Sequence, residues 1–336
     1  MAGTPRSRRR RSRPRVGLVL GAGGVLGAAW MAGALVALQE RLGRPLQEVD
    51  VIVGTSAGSV LAAALRYAVP VEAIVAHQRG VGFDAVPSVA EIDRESGILP
   101  PLPRMRLGSP RLLVNTARAP HRVHPWVAAT ALLPQGRAQH RSLSQLLHAL
   151  LPPGDGQAQP GADIWPKEQT WIMCVDYEAG RRVAFGRPGS PEASLPDAVV
   201  ASCSIPGWHE PKVIGERRYV DGGVRSTTSL ELLARAELDD VYVLAPMACY
   251  DTDKPRNPAV RAERLFRQWV TIAVTREISK VQATGANVIA LTPGPADLSA
   301  IGINLMDSTR RERVLETSLQ TSPARLAALN ERRAMG

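Results

Sequence analysis

The 336-residue chain has few aromatic residues and very few cysteines, and both shortages limit what it can be. Aromatic residues make up 4% of it and apolar residues 45%, so a folded core must be mainly aliphatic. The three cysteines, Cys174, Cys203 and Cys249, are odd in number and too widely spaced for a metal-ligand or redox pair. This pattern argues against a disulfide scaffold and indicates free thiols in a reducing compartment. We therefore expect a cytoplasmic protein that uses no metal and no other cofactor.

Acidic residues are absent from residues 1–15, which contain seven arginines. The formal net charge of the whole chain is +10, so the remaining residues carry only +3. A short segment rich in Arg, Pro and Ser is typical of disorder. It is either a solvated arm or a peripheral contact with the anionic surface of a membrane. Nothing in the rest of the sequence indicates a nucleic-acid-binding protein, and we expect no nucleic-acid partner.

Long uncharged runs are missing, with the exception of residues 16–38. This run is long enough to span a bilayer, and it follows an arginine-rich segment as a signal peptide or anchor would. Six of its 23 residues are glycines, however, and most of them cluster in one place. The run therefore predicts a buried strand and a helix joined by a glycine loop, not a membrane span.

The most informative motif is a serine between two glycines, Gly54-Thr55-Ser56-Ala57-Gly58. It follows the mostly apolar run 49–53 and precedes the helix-like run 59–65. A strand, a sharp turn and a helix in this order are typical of a G-x-S-x-G nucleophile elbow, which holds the serine hydroxyl out of the sheet. Gly54 and Gly58 allow the tight turn, and the helix dipole favours negative charge on Ser56. The alternative is a glycine-rich turn whose serine has no catalytic role.

A glycine loop at residues 21–27 lies between a predicted strand and a predicted helix. The backbone N–H groups of such a loop suit an anion, either a phosphate or a transient oxyanion. No Gly-Lys-Ser or Gly-Lys-Thr follows, which excludes a P-loop, and Leu26 occupies the position of the third glycine in a dinucleotide fingerprint. Because a serine elbow comes next in the chain, an oxyanion hole is the better interpretation.

A carboxylate follows a short predicted strand in Asp221-Gly222-Gly223. An acid at a strand end, before a tight turn, can direct its carboxylate into a cleft, although ordinary Asp-Gly turns are common. The serine hydrolases of the α/β-hydrolase fold order their triad as Ser, acid, His. No histidine follows Asp221 in this sequence, so that order cannot be completed with this acid and a Ser–Asp dyad remains. His209 is the nearest histidine before it, and we expect it in a loop at the mouth of the cleft, without a role as base.

The glycine loop, the serine elbow and the Asp-Gly-Gly turn, in this order, resemble the patatin-like phospholipases. The run 201–207, Ala-Ser-Cys-Ser-Ile-Pro-Gly, matches a further stretch that this family carries ahead of its aspartate. The resemblance covers about residues 16–225, with weaker similarity to about residue 310. It implies a serine acyl hydrolase that cleaves lipid carboxylic esters, with Ser56 as nucleophile and Asp221 as base.

The same resemblance assigns the oxyanion hole to the backbone of the glycine loop, at Gly23, Gly24 and Val25. Gly222 and Gly223 then form the turn behind the base. One position departs from the family, whose loop usually has Arg or Lys where this chain has Leu26. The loss of this cation implies either a lower rate or a preference for neutral esters over phospholipids. It also motivates an alternative, a catalytically weak or inactive member that binds a lipid or a protein partner.

Strands alternate with helices along the chain, which predicts an α/β fold with a mostly parallel central sheet flanked by helices. Beyond the tail at residues 1–15, we expect a hydrolase domain at 16–310 and a helical extension at 311–336. Residues 84–125 contain seven prolines and are too long for a plain connection, so they form either a cap or lid or a surface excursion without a role. The amphipathic run 265–282 is expected to pack an apolar stripe into the core, formed by Leu265, Trp269, Ile272, Val274, Ile278 and Val281.

Overall fold

A mixed, mostly parallel β-sheet forms the centre of the protein. The computed structural model describes residues 13–82, 86–151, 165–251 and 255–334. The strands are β1 (Val16–Leu20), β2 (Val51–Thr55), β3 (Arg104–Leu107), β4 (Pro134–Gln135), β5 (Gln169–Asp176), β6 (Arg181–Phe185), β7 (Lys212–Ile214), β8 (Arg217–Asp221), β9 (Asp240–Leu244) and β10 (Asn287–Leu291). The sheet order is β10-β9-β1-β2-β5-β8-β7, with β6 also paired to β5, while β3 and β4 form a separate pair. Strands β10, β9, β1, β2 and β5 are mutually parallel, and β6, β7 and β8 pair in antiparallel fashion.

Helices cover both faces of this sheet. They are α1 (Gly24–Leu42), α2 (Ala57–Arg66), α3 (Val71–Gln78), α4 (Val89–Ser96), α5 (Pro110–Arg118), α6 (Pro125–Thr130), α7 (Arg141–Ala149), α8 (Leu195–Cys203), α9 (Pro258–Gln282), α10 (Pro295–Ile301) and α11 (Arg311–Ala334). The main apolar core joins the sheet to α1, α2, α3, α8 and α11, and a second core on the other face joins it to α9 and a short 3-10 helix at Leu230–Arg235. The predicted α/β fold with a mostly parallel sheet is confirmed.

The register of the parallel strands brings the sequence motifs to one edge of the sheet. Leu20, the last residue of β1, lies opposite Gly54 of β2, so the glycine loop and the serine elbow leave the sheet side by side. Cys174 of β5 lies opposite Asp221, which places the end of β8 next to the strand that follows β2 in the sheet. In open α/β sheets this carboxyl edge is where ligands bind.

Residues 86–125 contain regular elements, namely α4, β3, α5 and a 3-10 helix at Pro120–Arg122. Strand β3 pairs with β4, and a third apolar cluster anchors α5 and α6 to the sheet through Leu112 and Val127. The opening motion of a lid at 84–125 stays a prediction. The C-terminal helix α11 is integrated with the core, where Val314 packs and the Ser318 hydroxyl donates to the Trp30 carbonyl at 2.7 Å.

The expected core face of α9 is confirmed from Val274 onward and wrong in the earlier part of the helix. Val274 and Val281 are buried in the second core, and Ile278 packs against it. Leu265, Trp269 and Ile272 are exposed, however, and Arg267 and Glu277 are buried in the same helix. Both charged side chains have hydrogen-bond partners in the interior, which explains why they are buried although they do not belong to the expected apolar stripe.

Two further expectations concern the arginine-rich tail and the uncharged run 16–38 that follows it. Most of the predicted arginine-rich tail, residues 1–12, lies outside them, whereas Arg13 pairs with Glu48 at 3.3 Å. The helix α1, which contains most of the uncharged run 16–38, packs in the main core. Within the described part of the chain, no helix combines the length and the apolar character needed to cross a membrane.

Candidate active site

Ser56 occupies the sharp turn between β2 and α2. Its backbone has φ +53° and ψ −124°, a left-handed conformation that a serine adopts only when its surroundings enforce it. Gly58 shows what enforces the turn, because a Cβ atom at this position would lie 2.0 Å from the carbonyl oxygen of Leu20. The first turn of α2 therefore packs directly against the end of β1. This is the backbone geometry of a nucleophile elbow.

Asp221 is the last residue of β8, and its carboxylate is buried beside Ser56. Its Oδ1 atom accepts a hydrogen bond from the backbone N–H of Gly223 at 2.7 Å. Burial raises the pKa of Asp221 to about 6, and the hydrogen-bonding contributions of Ser56 and Gly223 offset part of that rise. A carboxylate with this pKa is a better proton acceptor than an exposed aspartate and is still mainly ionised at neutral pH.

Helix α8 and the residues after it connect the elbow to the aspartate. The Ser202 hydroxyl accepts from the backbone N–H of Ser56 at 2.8 Å and donates to the carbonyl of Met173 at 2.7 Å. Two residues later, the carbonyl of Ser204 accepts from the backbone N–H of Asp221 at 2.9 Å. Both residues belong to the run 201–207, whose sequence alone does not reveal a physical role. The role is to hold the two candidate catalytic residues in fixed relative positions.

The glycine loop delivers free backbone donors to the same site. Helix α1 begins at Gly24, which has φ +59°, a conformation that favours glycine. The backbone N–H groups of Gly23, Gly24 and Val25 have no hydrogen-bond acceptor among the residues that the structure describes. Gly24 and Val25 line the same cavity as Ser56. Unpaired N–H groups at the N-terminus of a helix are suited to stabilise an oxyanion.

The remaining glycines of the motifs permit close approach of backbone segments. A Cβ atom at Gly54 would lie 2.6 Å from the Cα atom of Ser59, and one at Gly222 would lie 2.4 Å from the carbonyl oxygen of Met173. A side chain at either position would push the elbow or the Asp221 turn out of place.

An apolar cavity of about 380 Å³ opens beside Ser56. Its wall includes Val60, Leu61, Ile74, Leu143, Leu146 and Ile205. Residues of α2, α3, α4 and α7 contribute to this wall, and most of the surface of the wall is apolar. Such a cavity accommodates a flexible hydrocarbon group next to the candidate nucleophile.

A family model for patatin-like phospholipases matches residues 18–234, which contain the elbow, the glycine loop and Asp221. The chain belongs to the patatin-like phospholipase family. Members of this family are typically lipid acyl hydrolases. A search of curated proteins found no match.

A comparison with solved structures matches VipD from Legionella pneumophila, at 16% identity and a TM-score of 0.44, with 94% of this chain and 67% of that chain covered. The type III effector protein ExoU matches at 17% identity and a TM-score of 0.37, with 94% and 53% covered. Human GIVD cytosolic phospholipase A2 matches at 12% identity and a TM-score of 0.41, with 95% and 62% covered. The chain thus spans about half to two thirds of the length of these proteins.

Leu26, the residue at which this patatin-like chain departs from its family, is fully buried in the main core. We expected it within the glycine loop, but α1 begins two residues earlier and includes it. Its backbone N–H donates to the carbonyl of Leu305 at 2.9 Å and is unavailable to a substrate. The segment that contains Leu305 also packs against Gly24. No motif in the sequence predicts this contact.

His209 is not at the mouth of the cleft, which corrects the expectation from sequence. It is 1% exposed and stacks on His140 with ring centroids 4.0 Å apart. Burial lowers the pKa of His140 to about 4, and burial together with His140 lowers that of His209 to about 2. Both imidazoles are therefore neutral at physiological pH, and the pKa of His209 is too low for an effective general base there.

Proposed function

We propose that this patatin-like protein is a serine acyl hydrolase that cleaves lipid carboxylic esters through an acyl-Ser56 intermediate. The observation that carries the proposal is the position of the buried Asp221 carboxylate beside a serine in elbow geometry. Asp221 is the base, and the backbone of Gly23, Gly24 and Val25 forms the oxyanion hole. No cofactor enters this mechanism.

In the first half-reaction, the Ser56 hydroxyl transfers its proton to Asp221 while its oxygen attacks the ester carbonyl carbon. The carbonyl oxygen becomes an oxyanion that accepts hydrogen bonds from the glycine loop, where each such donor contributes about 3 kcal/mol to catalysis. The tetrahedral intermediate then expels the alcohol portion of the ester, which takes the proton from Asp221. The acyl group stays on Ser56 as an ester.

In the second half-reaction, Asp221 takes a proton from a water molecule, whose oxygen attacks the acyl-Ser56 carbonyl. The same backbone donors stabilise the second oxyanion. The carboxylic acid leaves, and the proton on Asp221 returns to the Ser56 oxygen. One ester and one water thus give one alcohol and one acid, and the site is restored.

The aliphatic cavity supports an apolar acyl group as the part of the substrate that is held. It begins at Ser56, and the surface of its wall is mainly apolar. A hydrocarbon chain buried there would contribute about 0.8 kcal/mol per methylene. The arginine-rich tail at residues 1–15 would add peripheral attraction to anionic lipid, as its charge suggests.

The alternative, a non-catalytic lipid- or partner-binding protein, is motivated by Leu26. Two observations favour the catalytic proposal over it. The Leu26 side chain points into the core, and the N–H groups of Gly24 and Val25 remain without acceptors in the described chain. The donors required of an oxyanion hole therefore do not depend on a cation at this position.

A fluorophosphonate probe and a panel of esters that varies acyl length and head group test the proposal together. We expect the probe to label Ser56, and we expect Ser56→Ala and Asp221→Asn each to lose at least a hundredfold of the ester turnover. Ser279→Ala is the matched control, because Ser279 is an exposed serine on α9. Full turnover by Ser56→Ala would refute the assignment, and a complete lack of labelling and turnover would favour the binding protein.

A further inference from the structure

Residues 98–137 present an outer surface on which exposed apolar side chains are interspersed with arginines. We call it the arginine–apolar face. Its exposed apolar side chains include Leu99, Leu102, Met105, Val114, Trp126 and Leu132. Its arginines are all exposed, at Arg104, Arg106, Arg111, Arg118, Arg122 and Arg137. Residues 98–137 contain no aspartate or glutamate.

The exposure of these apolar groups is not a sign of poor packing. The inner side of the same elements is fixed to the sheet, because Leu112, Val123 and Val127 are buried against Tyr177 and Val220. On the outer side, Met105 is 99% exposed, Leu102 86% and Trp126 60%. Several strongly exposed apolar side chains on a well-anchored segment are typical of an interaction site.

The charge of the face remains strongly positive after its ion pairs are counted. Arg104 pairs with Glu210 at 3.0 Å, and Arg111 pairs with Glu178 at 3.1 Å. The other four arginines of the face have no acidic partner within the described part of the chain. A partner that complements this face must therefore combine negative charge with an apolar region that the exposed side chains can enter.

The arginine–apolar face is attached at both ends to residues next to the cavity. The carbonyl of Ile98 accepts from the Asn304 side chain at 3.1 Å, and Met306 lines the cavity two residues later. The backbone N–H of Arg137 donates to the carbonyl of Trp208 at 3.1 Å, next to the cavity residue His209. The two ends of this face therefore lie next to the wall of the cavity that contains Ser56.

We propose that the arginine–apolar face docks on an anionic phospholipid membrane, with its apolar side chains among the lipids and its arginines at the headgroups. Arginines near such a surface each strengthen binding several-fold, and apolar side chains add affinity by entering the interface. A second copy of this chain is the poorer occupant, because two such faces would oppose like charges. Nucleic acid is also a poorer occupant, because the aliphatic side chains between the arginines would find no apolar contact on a phosphate backbone.

Vesicle binding by the full-length Ser56→Ala protein tests this proposal without hydrolysis of the lipid, so docking and catalysis are judged separately. The probes are vesicles of phosphatidylcholine alone and of equal parts phosphatidylcholine and phosphatidylglycerol, measured by flotation. We expect tight binding only to the anionic vesicles. In the same background, Arg106→Gln with Arg118→Gln should weaken it about thirtyfold. Met105→Ser with Trp126→Ser should weaken it at least tenfold.

Matched variants elsewhere on the surface should leave vesicle binding unchanged. Arg41→Gln with Arg235→Gln removes the same charge at the opposite edge of the sheet, because α1 ends and β9 begins there. Phe266→Ser with Trp269→Ser removes two exposed aromatic side chains from α9.

Three results would overturn the proposal. In the first, the variants of the arginine–apolar face still bind vesicles, whereas the Phe266→Ser, Trp269→Ser pair on α9 or neutralisation of the arginine-rich tail abolishes binding. Another is a dimer in solution that Trp126→Ser dissociates without any loss of vesicle binding. The third is tight binding to duplex DNA, lost in the arginine variants, by a protein that ignores anionic vesicles.

Discussion

Ser202 holds Ser56 in place from behind: its hydroxyl accepts the Ser56 backbone N–H at 2.8 Å and donates to the Met173 carbonyl at 2.7 Å. The two residues are 146 positions apart in the sequence. Through this hydroxyl, the end of α8 links the turn after β2 to β5. The unusual backbone angles of Ser56 are thus supported by a buried hydrogen bond from another part of the fold.

Replacement of Ser202 by alanine should therefore impair catalysis in a protein that still folds. The change leaves a buried N–H and a buried carbonyl without their partner, which costs about 1–3 kcal/mol each at most. We expect the folded state to survive and kcat for ester hydrolysis to fall about tenfold, since a small displacement of the nucleophile slows the reaction strongly. Ser204→Ala is the control, because among the described residues the Ser204 hydroxyl donates only to the carbonyl of Val200, in the last turn of the preceding helix α8. Equal losses in both variants would mean that the Ser202 bond has no special role.

The fold and the positions of the three motifs could be predicted because each motif directly follows an apolar strand. The carboxyl ends of the parallel strands β1 and β2 meet at one sheet edge, and the antiparallel register of β8 against β5 brings Asp221 to Ser56 there. The support behind them could not be predicted, because the bonds of Ser202 and of Leu305 join distant parts of the chain and leave no local pattern. The exposure of Leu265, Trp269 and Ile272 on α9 could not be predicted for a related reason. Arg267 and Glu277 have interior partners that the sequence does not show.

The acid side of the pH–rate profile should follow the titration of Asp221. The base must be ionised, and burial raises its pKa to about 6, so activity is present above that pH and is lost below it. We expect kcat/KM to fall about tenfold per pH unit below about pH 6. The measurement is kcat/KM for a neutral ester whose own charge is constant over this range. A plateau that extends to about pH 4, where an ordinary aspartate titrates, would show that burial does not control this group.

Asp221→Asn should stabilise the protein while it abolishes activity. The folded pKa of Asp221 lies above its unfolded value, so the native state loses stability as the pH rises between the two values. The neutral asparagine avoids this loss and keeps an oxygen for the Gly223 N–H. We expect a gain in the free energy of unfolding of about 3 kcal/mol at most at about pH 8, falling to little at about pH 4. Urea unfolding at both pH values measures this, and a gain that is independent of pH would contradict it.

Glu277 is expected to act as a positioning residue for the oxyanion hole. Its buried carboxylate accepts hydrogen bonds from the hydroxyls of Ser226 and Thr228, at 2.6 and 2.8 Å, and from the N–H of Leu230 at 2.8 Å. The carbonyl of Thr227, inside that loop, accepts the N–H of Ala22 at 2.8 Å. The carboxylate on α9 therefore fixes the loop that holds the start of the glycine loop.

Glu277→Gln should lower kcat about tenfold with little change in KM, because the amide faces three donors with only one acceptor oxygen. Labelling of Ser56 by a fluorophosphonate should slow in parallel, since that reaction uses the same oxyanion donors. Glu312→Gln, at an exposed position on α11, is the control. A lower melting temperature with unchanged kcat and labelling rate would assign Glu277 a purely structural role.

Leu26→Arg should destabilise the protein, although it restores the residue type that the family usually has. The Leu26 side chain is fully buried in the main core, where a guanidinium group would lack both water and an acidic partner. We expect a loss of at least about 3 kcal/mol in the free energy of unfolding, and no gain in phospholipid turnover. Leu26→Met, which conserves volume, should cost less than about 1.5 kcal/mol. Urea unfolding of both variants, with phospholipid hydrolysis measured on the folded fraction, decides the matter. A stable Leu26→Arg protein with raised phospholipid turnover would show that the side chain turns toward the oxyanion hole, and that the native leucine limits the reaction.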